Sequence, residues 1–172
     1  MILAIDVYYF EDKAKTVGVL FEWDDAEPRE IITSYSNTID EYIPGEFYRR
    51  ELPCIEKLIK KINLNAIELI IIDGHVYVDN NFNYGLGGYV WESLNKTKPI
   101  IGVAKNSFYS NKETTIELFR GKSKKALFIS SIGIENTVAT HYILNMKGEF
   151  RIPSILKKLD QITKENYDST DL

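Results

Sequence analysis

The sequence predicts an α/β fold: a mixed sheet in which three antiparallel strands are followed by parallel strands, flanked by helices. Three observations predict it. The opening stretch is rich in Val, Ile, Phe and Tyr and is broken only by short polar turns. Two later apolar runs are continuous, as strands covered on both faces require. Between them, apolar residues recur at helical spacing.

Taken in order, residues 2–10 and 16–23 flank the polar Glu11-Asp12-Lys13 and read as a strand, a short turn and a second strand. Residues 30–35 follow the breakers Asp24-Asp25 and Pro28 and complete a meander. After a loop through Pro44-Gly45, the residues Leu52, Ile55, Leu58, Ile59 and Ile62 mark an amphipathic helix with Pro53 in its first turn, so Glu51 stands at a helix start. Residues 67–72 read as a central strand ending at Asp73-Gly74. Beyond a polar loop with Asn80-Asn81, residues 86–94 read as a helix, 99–104 and 126–130 as strands, and 135–146 and 153–163 as helices. No repeat or linker interrupts them. The expectation is one domain over residues 1–164 with a polar tail at 165–172. Three antiparallel strands, then helix, strand, helix, strand, is the order of the ribonuclease H-like fold.

Composition sets limits. An apolar fraction of 44% with 12% aromatic residues excludes disorder and gives 172 residues a real core. The opening Met-Ile-Leu-Ala-Ile-Asp has no basic stretch, and its apolar run is too short for a signal segment or a membrane span, so a cytoplasmic protein without a membrane partner is expected. The single cysteine, Cys54, lies in an apolar stretch and reads as a buried structural thiol; no zinc spacing is present. A net charge of −4 argues against general nucleic-acid adhesion, but it allows an enzyme whose basic residues gather around an acidic site. Arg49, Arg50, Lys105, Lys122, Lys124, Lys125, Lys147 and Arg151 lie near the candidate motifs or in the second half of the chain.

Three acids carry the chemistry. Asp6, Glu51 and Asp73 each interrupt or border an apolar run, where a charge is costly to bury unless a cation or hydrogen bonds offset the desolvation. In the predicted fold they occupy the first strand, the first helix and the end of the fourth strand, which converge. Together they suggest metal-assisted cleavage of a phosphodiester; singly, Asp6 and Asp73 could merely cap strands.

Several segments then resemble one family in order: Asp6-Val7-Tyr8-Tyr9, Tyr42-Ile43-Pro44-Gly45 through Arg50-Glu51, Asp73-Gly74-His75, Gly85-Leu86, Gly102-Val103-Ala104-Lys105 and Arg151-Ile152-Pro153. The chain resembles endonuclease V, the nuclease that cuts near deaminated, inosine-containing sites in nucleic acid. The resemblance implies that Asp6, Glu51 and Asp73 hold Mg²⁺, with Mn²⁺ as a substitute, and that Lys105 pairs with phosphate or leaving-group charge. It also implies a wedge at Tyr42, Ile43, Pro44 and Gly45 that enters the duplex, phosphate contact from Arg50 (or orientation of Glu51 by it), and a base-facing segment at Gly74 and His75. The partner implied is DNA or RNA, bound by a monomer.

Departures from the family are also legible. The segment that usually precedes the first strand is missing from this sequence. Val76 replaces a glycine of the usual Asp-Gly-x-Gly, Asp79 stands where a histidine is common, and Ile134 replaces the histidine of a Gly-His, with Glu135 the nearest acid to fill that gap. His75 reads as either a metal neighbour or a loop-bonded histidine, and His141 as structural or exposed. The leading expectation is a Mg²⁺-dependent endonuclease acting in DNA repair. The alternatives are a non-catalytic nucleic-acid-binding module that keeps the fold and wedge, and a structural protein without metal affinity.

Overall fold

Strand β1 (Ile2–Phe10) has every residue from Ile2 to Ile5 buried, so both of its faces are covered and it belongs inside a sheet. The computed structural model describes residues 1–11, 13–37, 44, 46 and 48–165. β2 (Lys13–Phe21) pairs antiparallel with β1, and β3 (Glu30–Ser36) antiparallel with β2. On its other edge β1 pairs in parallel with β4 (Leu69–Asp73), and β4 in parallel with β5 (Ile100–Ala104). β7 (Leu127–Ile132) then turns back antiparallel to β5, and β6 (Ile116–Leu118) pairs antiparallel with β7. The sheet runs β3-β2-β1-β4-β5-β7-β6.

Helices cover both faces. α1 (Tyr48–Ile59) and α2 (Leu86–Ser93) pack on Leu3, Ile5, Ile70 and Ile72 through Ile55, Leu58, Ile59 and Val90. α3 (Asn136–Asn145) and α4 (Ser154–Lys164) pack on Ile2, Ala4, Leu69 and Ile71 through Ala139, Ile143, Ile155, Leu159 and Ile162. Strand residues therefore alternate between two cores. Among the described residues no helix is long and apolar enough to cross a membrane.

The predicted order holds, with differences that have physical causes. β2 begins at Lys13 rather than at 16, because Glu11 takes a φ of +47° and lets the chain reverse at once. α1 starts ahead of Glu51, which places Pro53 inside the helix rather than in its first turn. The ring removes one bond near the helix start, and the buried Ile55, Leu58 and Ile59 hold the rest. β6 was not expected, since three residues are too few to show a period. β7 departs from the expected run of parallel strands.

Candidate active site

The register of β1 on β4 places the first two acids. Ile5 pairs with Ile72, so Asp6 and Asp73 are the next residues on adjacent parallel strands, which lie roughly 4.8 Å apart. By alternation both share the face of Ala4 and Ile71, toward α4. The Val7 amide donates to Asp6 Oδ1 at 2.9 Å, and the buried Thr163 hydroxyl on α4 donates to Asp6 Oδ2 at 2.9 Å. Burial first, and repulsion from Asp73 second, push the Asp6 pKa up to about 6. Asp73 is also raised, by burial first and Asp160 besides, while Lys105 and Lys164 oppose the rise.

Glu51 arrives from the opposite face on α1. It meets the pair at the strand ends, where Asp6, Glu51 and Asp73 line one small cavity of about 50 Å³. Burial, then Asp73, then Asp6 push the Glu51 pKa up to about 8, with Arg50 partly opposing. Lys105 is the nearest opposing charge felt by Asp73, and Arg50 the one felt by Glu51.

No set of three or more His, Cys, Asp and Glu side chains among the described residues closes tightly enough to hold an ion by itself. The donors nevertheless fit one class of ion. Mg²⁺ takes hard oxygens, keeps several waters and is commonly held by only one or two carboxylates. Three carboxyl groups around a cavity of about 50 Å³ meet that need, with room for an ion and a little water.

Lys105 follows β5 and is half exposed; its Nζ lies 3.8 Å from Asp160 Oδ1 on α4. Asp160 also pairs with Lys164 at 2.8 Å and adds to the repulsion felt by Asp6 and Asp73. Sequence reading missed Asp160 and Thr163. Their trace is faint: an Asp four residues before a Lys on the polar side of an amphipathic helix is an ordinary surface pair. Arg151, just before α4, donates from Nη2 to the carbonyls of Lys105 and Ala126, each at 2.6 Å, and so ties the end of β5 to β7.

The Gly74 to Val76 segment crosses the end of β5. Gly74 takes a φ of +131°, and the Val76 amide donates to Ser130 Oγ at 2.9 Å. A Cβ on Gly102 would come within 2.6 Å of the Gly74 carbonyl, so a glycine is needed beneath the crossing. His75 is buried, bonds Asn106 O through Nε2 at 2.8 Å and packs on Phe108, so it is loop-bonded and does not line the carboxylate cavity. Asp79 accepts from the Asn81 and Asn83 amides and from Asn83 Nδ2, stabilising its own turn. Arg50 lies over the Tyr9 ring at 4.2 Å. Pro44 is exposed, and the rest of the expected wedge, Tyr42, Ile43 and Gly45, lies outside the described residues. His141 is exposed and Cys54 buried, as expected.

Glu135 requires a correction. Ile132 pairs with Ile100 at the start of β5, whereas Asp73 pairs with Val103 near its end. Gly133, Ile134 and Glu135 therefore sit at the opposite end of the sheet from the acids, and Glu135 cannot fill a place among them. Asp160 is the further acid at the site.

Known proteins of one family resemble the chain in sequence and in fold. The chain is 27% identical over 163 residues to endonuclease V of Pyrococcus horikoshii, covering 95% of this chain and 72% of that one. It is 31% identical over 106 residues to endonuclease V of Clostridium acetobutylicum, covering 59% of this chain and 44% of that one. Human ENDOV superposes with a TM-score of 0.77 at 18% identity, over 95% of this chain and 82% of the human chain. Ciona intestinalis endonuclease V, solved with a 24mer DNA containing an inosine followed by a ribo-adenosine, superposes with a TM-score of 0.78 at 16% identity, over 95% of this chain and 84% of the other. Those two structures match the fold. The endonuclease V family profile matches residues 1–161, and with that match the chain belongs to the endonuclease V family.

Proposed function

We propose that this protein is a divalent-metal-dependent endonuclease that hydrolyses phosphodiester bonds in nucleic acid near deaminated, inosine-like sites. The observation that carries the reading is the carboxylate cavity, with Asp6 and Asp73 at adjacent register positions and Glu51 across from them. Family membership and the inosine-containing DNA held by the Ciona relative support the substrate class.

Asp6, Asp73 and Glu51 would hold Mg²⁺, or Mn²⁺ in its place. Bound there, such an ion neutralises phosphate charge and acidifies an attacking water. The protein's own groups do the rest. Thr163 and the Val7 amide fix the Asp6 carboxylate in one orientation. Lys105, anchored through its backbone by Arg151 and drawn toward α4 by Asp160, would offer its cation to the phosphate or to the departing oxygen. Partial burial of Asp6 and Glu51 lowers the local dielectric, which strengthens these interactions.

The test is incubation of purified protein with labelled inosine-containing and undamaged strands in Mg²⁺ or Mn²⁺. The expected result is metal-dependent cutting that Asp73→Ala reduces by more than about 100-fold, beyond what loss of an outer-sphere partner costs. Binding without metal-dependent, Asp73-sensitive cutting would overturn the proposal in favour of a non-catalytic binding module.

A further inference from the structure

Beneath α4 a larger hollow of about 290 Å³ shares Ile5, Asp6, Ile72 and Asp73 with the carboxylate cavity, and Lys105, Arg151 and Lys157 line it together with Asp160. From Lys105 the surface continues sideways along the strand ends. Ala104 pairs with Phe128, and Leu118 with Leu127, so the turn of residues 119–126 between β6 and β7 stands at the same end of the sheet as Asp6 and Asp73. One nitrogen, Arg151 Nη2, donates to both the Lys105 and the Ala126 carbonyls, which fixes that turn against the end of β5. A second loop, residues 146–152, packs on the turn. The buried Arg120 donates to the carbonyls of Met146, Gly148 and Phe150, and Gly121, at a φ of +58°, lies so close to the Glu149 carbonyl that a Cβ would overlap it. The two loops present four exposed lysines, Lys122, Lys124, Lys125 and Lys147, against one acid, Glu149. Many lysines elsewhere are already engaged: Lys15, Lys57, Lys61 and Lys98 donate to backbone carbonyls, and Lys96 and Lys164 pair with acids. On a chain at −4, a cationic patch of this kind sets the direction from which a polyanion is drawn in.

We propose that the two loops form a ledge that carries the phosphate backbone of the substrate strand away from the carboxylates. The inference rests on the nuclease reading and adds where the strand lies on one side of the cut. From Asp6 and Asp73 it passes Lys105 and runs onto Lys122, Lys124, Lys125 and Lys147, with Glu149 the opposing charge on its way. β5, β7 and β6 are successive neighbours roughly 4.8 Å apart, so the ledge extends about 10 Å beyond Lys105, the length of about three phosphates at roughly 3.4 Å each. Lysine suits the task, because a point charge on a flexible stem meets a phosphate without reading the base attached to it. Arg120 and Arg151 already fix the loops beneath, so binding orders only the ends of the side chains.

The test is fluorescence anisotropy with labelled inosine-containing strands in Ca²⁺, comparing wild type, the triple variant Lys122→Ala/Lys124→Ala/Lys125→Ala, and a control of equal charge, Lys60→Ala/Lys61→Ala/Lys96→Ala. The control lysines follow α1 and α2, at the opposite end of the sheet from the acids. The ledge variant should keep the wild-type melting temperature, bind at least about tenfold more weakly at low salt, and lose about 2 from a wild-type slope of about −3 in log K against log salt. The control should move the slope by less than about 0.5. Shortening the strand stepwise from each end should weaken wild-type binding sharply once fewer than about three nucleotides remain on one side of the inosine, and should leave the ledge variant unchanged there, because the contact is already gone. A slope kept by the ledge variant, an equal loss in the control, or equal sensitivity of both proteins to shortening overturns the ledge; these are the results expected if the loops serve an acidic protein partner instead. Binding is read without cleavage, so a wild type that binds as stated and cuts nothing sinks the nuclease reading alone, and one that binds no strand overturns the ledge whatever it cuts.

Discussion

Asp6 and Glu51 are held in the fold against their own ionisation, and that has two measurable results. Protons and a divalent ion compete for the same oxygens, so Mn²⁺ affinity measured by calorimetry should climb as pH rises from below 6 to above 8, the range spanned by the two raised values. In the metal-free protein, a carboxyl whose folded pKa is about 8 against an ordinary 4.5 favours folding fully below 4.5, and that contribution is lost as pH rises toward 8. Glu51→Gln should therefore stabilise the metal-free protein at pH 8 by about 2–4 kcal/mol in urea unfolding, with little change at pH 4, while weakening Mn²⁺ binding. Thr163→Val should retain the fold but cut turnover about 10–100-fold, as expected when a ligand loses its orienting hydrogen bond. At this scale the three acids were legible because each sits at the edge of an apolar run, where a charge stands out. Asp160 was not, because a polar helix face hides one functional acid among solvated ones.

Elements decide which of these side chains can meet. Parallel pairing of β1 with β4 brings Asp6 and Asp73 together without any sequence proximity, and α4, packed on the same face, closes over them with Thr163 and Asp160. The loop leading into α4 is held by two arginines. Arg120, 4% exposed, donates to the carbonyls of Met146, Gly148 and Phe150, and Arg151 binds those of Lys105 and Ala126. Arg151→Ala should lower stability by about 2–3 kcal/mol, since it removes charge-assisted bonds to partly buried carbonyls. It should also depress kcat more than KM, because Lys105 loses its anchor. Element order was readable from periodicity, and the acids agreed with it. Direction was not: nothing in residues 127–132 distinguishes a strand running with β5 from one running against it, so the Gly133 to Glu135 turn was expected at the wrong end of the sheet. Proline position was equally opaque, since Pro53 near the start of a helix is compatible with several first residues.

For the whole molecule, net charge and site charge pull the same way. A chain at −4 with a cluster of acids at its centre repels a polyanion until a cation occupies that cluster. Chelation with EDTA should therefore weaken nucleic-acid binding at least about tenfold besides stopping any cleavage, as read by fluorescence anisotropy. With Ca²⁺ present, the salt dependence should be shallow, with a slope of about −2 to −4 in log K against log salt, because few lysines and arginines line the site. The shared wall of Asp6 and Asp73 has a last consequence. One pair of side chains bounds both an ion-sized hollow and a larger one beneath α4, so an occupant of either alters the charge and packing met by the other. Reciprocity then follows from linkage: whatever factor a nucleotide adds to ion affinity, the ion must return to nucleotide affinity. A strand that does not seat beside the carboxylates would accordingly leave the ion weakly held, so that selection of substrate and assembly of the reactive centre become one equilibrium.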